Sequence, residues 1–285
     1  MNRELSAVVF AERPDLHEAS RTALHGVWPE FIFHDAVSER CVPLVERYFP
    51  AFDLLLVEGG GGDAGASGDA GGGGDAGGGG DAGGGGDAGG GGDAGGGNAR
   101  VVAGGWGVPV RWDGSYEDLP GGYDGALERA VAGYEGAVAP DTLVVMAAVV
   151  DPALRAKGLA GALLTALREK ATAAGLARVV VPVRPTLKAR YPLTPMTEFV
   201  GWTREDGLHI DPWVRTHQRL GARVLGVAED SMVIEGTVAD WEKWAGMALP
   251  GNGSYVVPGA LDVLRVDRAA DRAVYREANV WMRHV

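Results

Sequence analysis

The chain has 285 residues, 46% of them hydrophobic, enough for one large core or two small ones. Half of its formal charge of −12 falls on six aspartates of a glycine-rich tract; the rest is still acidic and has no basic stripe interleaved with aromatics, which excludes nucleic acid as a partner. No apolar run reaches the length of a membrane span, and Met1 to Leu5 lead straight into Val8-Val9-Phe10, so neither a membrane segment nor a secretory signal is expected.

In chain order, Ala7 to Ala11 reads as a first strand. Asp15 caps a helix through Glu18, Ala19 and Leu24, and Ser38 to Arg47 forms a second helix, in which Pro43 is tolerable only within the first turns. Cys41 is the only cysteine, so no internal disulfide forms and a reducing cytoplasm is the expected setting. No histidine nearby supports Cys41 as a nucleophile, and a small buried apolar role fits it better.

Phe52 to Val57 and Arg100 to Val110 read as two strands. Between them, residues 59–94 are six hexapeptide units, most of them Gly-Gly-Gly-Gly-Asp-Ala, followed by Gly95-Gly96-Gly97-Asn98-Ala99. Such a segment has little to bury and much backbone entropy to lose, so 59–99 is expected to be a disordered insertion in a strand–strand loop. A calcium-binding β-roll would need a large apolar side chain in every unit, and only alanine is available. The chain is therefore read as a single domain over 1–285, with the tract as an insertion inside it.

Helical spacing continues from Tyr123 to Tyr134, and Thr142 to Val150 is apolar enough for a strand buried on both faces. Gly158 to Ala174 is the clearest helix, with Leu159, Ala162, Leu163, Ala166 and Leu167 on one face and Gly175 as its stop. Arg178 to Val183 is a strand, Pro212 to Leu220 a short helix, and 222–227, 231–238 and 261–265 further strands. Helices and strands mixed in this way give an α/β or α+β class.

The chemistry concentrates in Arg155-Ala156-Lys157-Gly158-Leu159-Ala160, which joins a strand ending Val149-Val150-Asp151-Pro152 to a helix. A turn at a helix N-terminus converges backbone N–H groups and adds the positive end of the dipole. Gly158 removes a side chain where a phosphate approaches the backbone, Ala160 keeps the approach narrow, and Arg155 and Lys157 add charge; the ligand this suits is a pyrophosphate. The Lys-Ser/Thr of a nucleotide P-loop is missing, as is a Gly-x-Gly-x-x-Gly after a strand.

Arg-x-x-Gly-x-Ala after such a strand, with the helix, the next strand and then His217-Gln218-Arg219-Leu220-Gly221, resembles the CoA-binding motif and later motif of the GNAT acetyltransferase superfamily. The resemblance is firm over residues 142–227 and looser over 5–141. It implies a mixed, mostly antiparallel sheet flanked by helices, which parts after its fourth strand to admit pantetheine. It also implies acetyl-CoA as acyl donor, with no metal, and a small-molecule amine attacking the thioester directly in a ternary complex. Val149 and Val150 would then offer backbone groups to pantetheine, and Arg155, Lys157, Gly158, Leu159 and Ala160 would hold the pyrophosphate. A homodimer is a candidate assembly.

The sequence departs from the family where the catalytic tyrosine usually stands. His217 occupies that position and is the candidate acid or base. No carboxylate lies in 143–150, where many relatives carry a base, so the base is unassigned. The polar stretch after Val183 is a candidate acceptor wall, with Arg184, Arg190, Tyr191 and Glu198 as its binding residues. The tail from Asn279 could close the pocket, with His284 exposed. An acyl-CoA sensor without transferase activity, or an interaction protein, remains the alternative.

Overall fold

A computed structural model describes residues 4–24, 26, 28–59 and 99–284. The expectation of a disordered tract falls on 60–98, outside the described residues. The strands are β1 (Leu5–Val9), β2 (Asp53–Glu58), β3 (Arg100–Val110), β4 (Thr142–Val150), β5 (Arg178–Val183), β6 (Arg223–Gly236), β7 (Gly253–Tyr255), β8 (Leu264–Asp267) and β9 (Arg272–His284). They form one sheet ordered β1-β2-β3-β4-β5-β9-β8-β7, with β6 along the other edge of β9. Only β4 and β5 run parallel; every other pairing is antiparallel. The mixed, mostly antiparallel sheet is therefore as expected.

Helices cover both faces, and α1 (His17–Leu24) lies against β3. On one face, α4 (Leu159–Ala173) buries Leu159, Leu163, Leu164 and Leu167 against Leu143, Val145 and Val181, with α6 (Pro212–Arg219) beside it. On the other, α2 (Ala36–Tyr48) and α3 (Tyr123–Glu135) pack Cys41, Val45, Leu127 and Ala130 against Val108, Val144, Met146 and Val180. Alternate β4 and β5 residues thus face opposite cores, as period-2 side-chain geometry requires. Asp35 caps α2 by accepting from the Ser38 N–H at 2.6 Å. The helix consequently starts earlier than the sequence suggests, and Pro43 lies mid-helix, where it deprives the Glu39 carbonyl of its i+4 donor.

Three departures concern the C-terminal third. The two strands expected over 222–238 are one, β6, bent by an irregularity between Ala228 and Met232. A further helix, α7 (Val238–Ala245), starts at a Thr237/Asp240 capping box and buries Trp241. The tail from Asn279 meets a cavity through Asn279, as part of a strand in the sheet and not as a cover. That strand is the long β9, pairing β8 and then β5 on one edge and β6 on the other.

The feature that positions the site is the parting of β4 from β5. They pair only at Thr142–Val144 with Arg178–Val180, although β4 runs on to Val150 and β5 to Val183. On its other edge β4 stays paired with β3, with a bulge near Met146, opposite the step from Trp106 to Gly107. A Cβ on Gly105 would come 2.6 Å from the Ala147 carbonyl oxygen, and one on Gly107 would come 2.7 Å from that of Val144. Glycine at both places lets β3 follow the bulge closely.

Candidate functional site: the gap between β4 and β5

After β4, the Asp151 side chain accepts from the Ala153 N–H at 2.9 Å and pairs with Arg100 at 2.9 Å, fixing the exit from the strand. The chain then passes through Ala156 at φ 65° and Gly158 at φ 79° before α4 begins. The first bond into the helix is Ala162 N–H to the Gly158 carbonyl at 3.1 Å. The N–H groups of Leu159 and Ala160 are therefore left without intrahelical partners. Leu159 turns its side chain into the core and anchors the turn, while Arg155, Lys157 and Gly158 are exposed. Neither Arg155 nor Lys157 has an ion-pair partner among the described residues. Val149 and Val150 lie on the unzipped part of β4, paired to β3 through Gly104 and Ala103. Their backbone groups on the β5 side face the gap.

A cavity of about 360 Å³ occupies that gap. Its lips are Val145–Ala148 of β4 and Val181–Arg184 at the end of β5. Val145, Val181 and Val183 belong to the core under α4, and Met146 to the core under α2 and α3, so the cavity passes through the sheet. Trp213 of α6 borders it on the first face. Ser38, Glu39, Trp106 and Tyr123 border it on the second, with Trp28 and Phe33 from the segment preceding α2.

Its polar floor comes from β9. Glu277 is fully buried, and both its oxygens accept from Arg184 Nε, at 2.8 and 3.0 Å. The Tyr275 hydroxyl donates to it at 2.7 Å and Asn279 Nδ2 at 3.1 Å. The Ser231 hydroxyl donates to Asn279 Oδ1 at 2.6 Å and accepts from the Tyr123 N–H at 2.8 Å, tying β6 and α3 to the floor. Burial alone would lower the Arg184 pKa, but the Glu277 carboxylate and Tyr275 more than offset it and hold it above its usual value.

Behind Ser38 and Tyr123 lie two carboxyl groups in contact, Asp35 of the α2 cap and Asp124 of α3. Asp35 Oδ2 and Asp124 Oδ1 are both buried without another partner, while Asp124 Oδ2 accepts from the Val233 N–H at 3.1 Å. Burial first, and the Asp35 charge second, push Asp124 up to about 8. The pair therefore shares a proton at neutral pH. The folded state keeps a proton that the unfolded chain releases near its ordinary carboxyl value of 3.8, so stability falls as pH rises from there towards 8. Asp124→Asn retains a donor for Asp35 and removes this penalty. It should stabilise the protein by on the order of 2 kcal/mol at pH 8 and have little effect at pH 4, as read by urea denaturation at both values. Equal destabilisation at the two pH values would rule out the shared proton.

The structure separates the residues read from sequence. Arg184 is in the cavity wall. Arg190, Tyr191 and Glu198 are not: all three are exposed on the connection to α6, whose short helix, α5 (Met196–Phe199), packs onto β6 and β9. His217 is also misplaced as an acid. It is fully buried, its Nδ1 lies 2.9 Å from His284 Nε2, and the Trp213 ring packs edge-on against it. Burial, then His284, push it down to about 3, so it is neutral and sealed. His284, expected exposed, is buried as its partner. Sequence reasoning missed Glu39, Ser38, Trp106 and Glu277. For Glu277 a signal existed: Ala273, Tyr275, Glu277 and Asn279 alternate with Arg272, Val274, Arg276 and Ala278, the period of a half-buried strand.

No helix among the described residues is long and apolar enough to cross a membrane. No family model matches the sequence. The arginine N-acetyltransferase avaD of Aspergillus versicolor is 32% identical over 163 residues, covering 51% of this chain and 56% of that enzyme. The chain thus spans little more than half the length of that relative. Among solved structures, the GphF GNAT-like decarboxylase in complex with isobutyryl-CoA superposes with a TM-score of 0.50 at 15% identity, over 99% of this chain and 98% of that one. The loading GNATL domain of CurA from Lyngbya majuscula gives 0.48 at 13% identity, over 99% and 96%. The chain thus shares the GNAT-like fold of that decarboxylase, the fold that the resemblance over residues 142–227 implied.

Proposed function

We propose that the chain is an acyl-CoA-dependent N-acyltransferase that moves an acetyl group from acetyl-CoA to a small cationic amine. The observation that carries this reading is the cavity through the sheet where β4 and β5 part. It has an unpaired strand edge on one lip and, past the end of that strand, a cationic turn at the head of α4. In this reading the N–H groups at Gly158–Ala160, with Arg155 and Lys157, hold the CoA pyrophosphate. The free edge at Val149 and Val150 pairs with pantetheine, as an added strand pairs with a sheet edge.

The amine enters from the α2–α3 face and attacks the thioester carbonyl. A C–N bond forms, the C–S bond breaks, and CoA thiolate leaves, the proton lost by the amine nitrogen passing through water to the thiolate. Holding both reactants in one cavity supplies proximity, and N–H groups at the bulged part of β4 stabilise the oxyanion. The relative's named substrate is arginine, and the acidic Glu39 in an aromatic-walled cavity suits such a cation. A reducing compartment suits the single buried thiol of Cys41.

Calorimetry and thermal shift with acetyl-CoA, longer acyl-CoAs and free CoA test the donor site. No binding of any of them to well-folded protein would overturn the reading. Thiol release over a panel of amines then separates a transferase from a CoA-binding sensor, the second reading, which the sealed position of His217 favours by leaving the thiolate without an acid.

We also read the chain as one domain with 59–99 as an insertion. Support comes from Glu58 and Arg100, which flank the tract and are direct partners across β2 and β3. Replacing 60–98 by a four-residue turn should leave thiol release within about twofold of the parent. It should also raise stability by up to about 2 kcal/mol, because the closed loop shortens roughly tenfold. A large loss of activity would show that the tract has a further role.

A further inference from the structure

We infer that the cavity grips its acceptor at both ends, Arg184 taking a carboxylate and Glu39 a cationic side chain, so that the acceptor is a basic amino acid acetylated on its α-amine. This rests on the transferase reading. Arg184 has five N–H groups, and the protein uses only some of them. Nε is committed to Glu277, and Nη2 donates to the Gly259 carbonyl at 2.8 Å. Nη1 has no acceptor among the described residues, yet it is not among the buried atoms sealed without a partner. It is therefore an open pair of donors on a side chain that lines the cavity and is itself only 16% exposed.

The Arg184 guanidinium cannot swing towards another partner. Glu277 holds Nε, the Gly259 carbonyl holds Nη2, and Cζ lies 5.7 Å from the Trp28 ring centroid. Held in this way, Nη1 presents a charge-assisted donor in a fixed place, which suits one oxygen of a carboxylate. Glu277 is unable to serve as a cation site, because Arg184, Tyr275 and Asn279 already occupy its oxygens.

The cation site falls instead to Glu39. It stands in the first turn of α2, exposed, its carboxylate without a hydrogen bond or ion pair among the described residues, and it lines the same cavity. Phe33, 54% exposed, lines the cavity with it and offers an aromatic face to a guanidinium or ammonium. With Glu277 neutralised by Arg184, Glu39 leaves the cavity with one net negative charge, complementary to a basic amino acid. The regiochemistry follows from covalent geometry. The α-amine shares a carbon with the carboxylate, so a carboxylate on Arg184, at the end of the β5 lip, brings that amine to the gap, while the distal cation stays with Glu39.

The test compares L-arginine with agmatine, which lacks the carboxylate, and with L-citrulline, a neutral isostere of the side chain. Steady-state thiol release at saturating acetyl-CoA should give kcat/KM at least about tenfold lower for each analogue, since a polar group left unpaired in a site is strongly discriminated. In Glu39→Gln the preference for arginine over citrulline should vanish and that over agmatine should remain. Mass-spectrometric fragmentation should place the acetyl group on the α-nitrogen. Agmatine or citrulline turning over as well as arginine, an unchanged preference in Glu39→Gln, or acetylation of the side chain would each overturn the inference and leave the transferase reading standing. If no amine releases thiol, the transferase reading fails instead, and calorimetric affinities for the same three compounds still decide the two-ended site. The agmatine arm probes Arg184 without mutating it, so a folding defect there does not confound the result.

Discussion

Gly158→Glu is expected to weaken acetyl-CoA binding by at least about a hundredfold in calorimetry, roughly 3 kcal/mol, while leaving the far-UV spectrum and cooperative unfolding in place. The fold survives because nothing lies within 4 Å of a Cβ built at Gly158, and the residue is exposed at the head of α4. The backbone penalty is limited to holding a non-glycine residue at φ 79°, about 1 kcal/mol. Binding suffers because the new carboxylate caps the N–H groups meant for the pyrophosphate and repels the incoming diphosphate. Gly158→Ala carries the same strain without the charge and should lose no more than about fivefold. Equal losses in the two variants would mean that turn conformation alone governs affinity. Full affinity in Gly158→Glu would mean that the phosphates bind elsewhere.

Glu277→Gln should have the largest effect on stability. The change is nearly isosteric, so it creates no cavity, yet it removes the counterion of a guanidinium that is mostly buried and held at Nε and Nη2. Leaving one member of a buried pair uncompensated costs about 3–5 kcal/mol. A chain of this size should then melt about 10 °C lower. The amide also presents N–H to donors, so either Arg184 or the Tyr275 hydroxyl loses its acceptor. Pairing the change with Arg184→Gln should recover part of the loss, because the orphaned charge is gone. Strict additivity of the two changes in denaturation would show that the pair is not coupled. Acetyl-CoA binding by the surviving folded fraction of Glu277→Gln should be retained, since the floor lies on the acceptor side of the cavity.

The strand, turn and helix proposed to hold the donor were legible in the sequence because they are local. Strand, turn and helix are contiguous from Thr142 to Ala173, glycine marks the positive φ, and the apolar spacing of Leu159, Leu163 and Leu167 gives the helix and its buried face. The cavity proposed for the acceptor was not legible, because it is assembled from segments far apart in the chain. Glu39 and Ser38 come from α2, Tyr123 from α3, Arg184 from the end of β5, and Glu277 and Asn279 from β9. Nothing in the local sequence distinguishes Arg184 from Arg190; one reaches a buried carboxylate ninety-three positions away and the other faces water. His217 shows the same limit in reverse. Its spacing from Gly221 matches a catalytic position, yet β9 carries His284 beside it and the two bury each other. Sequence by itself determined the elements from β4 to β5 and the turn at the head of α4, which depend on backbone geometry and side-chain period within one segment. Only the tertiary structure decided which charged groups face the cavity, since desolvation and pairing depend on what the rest of the fold packs against each one.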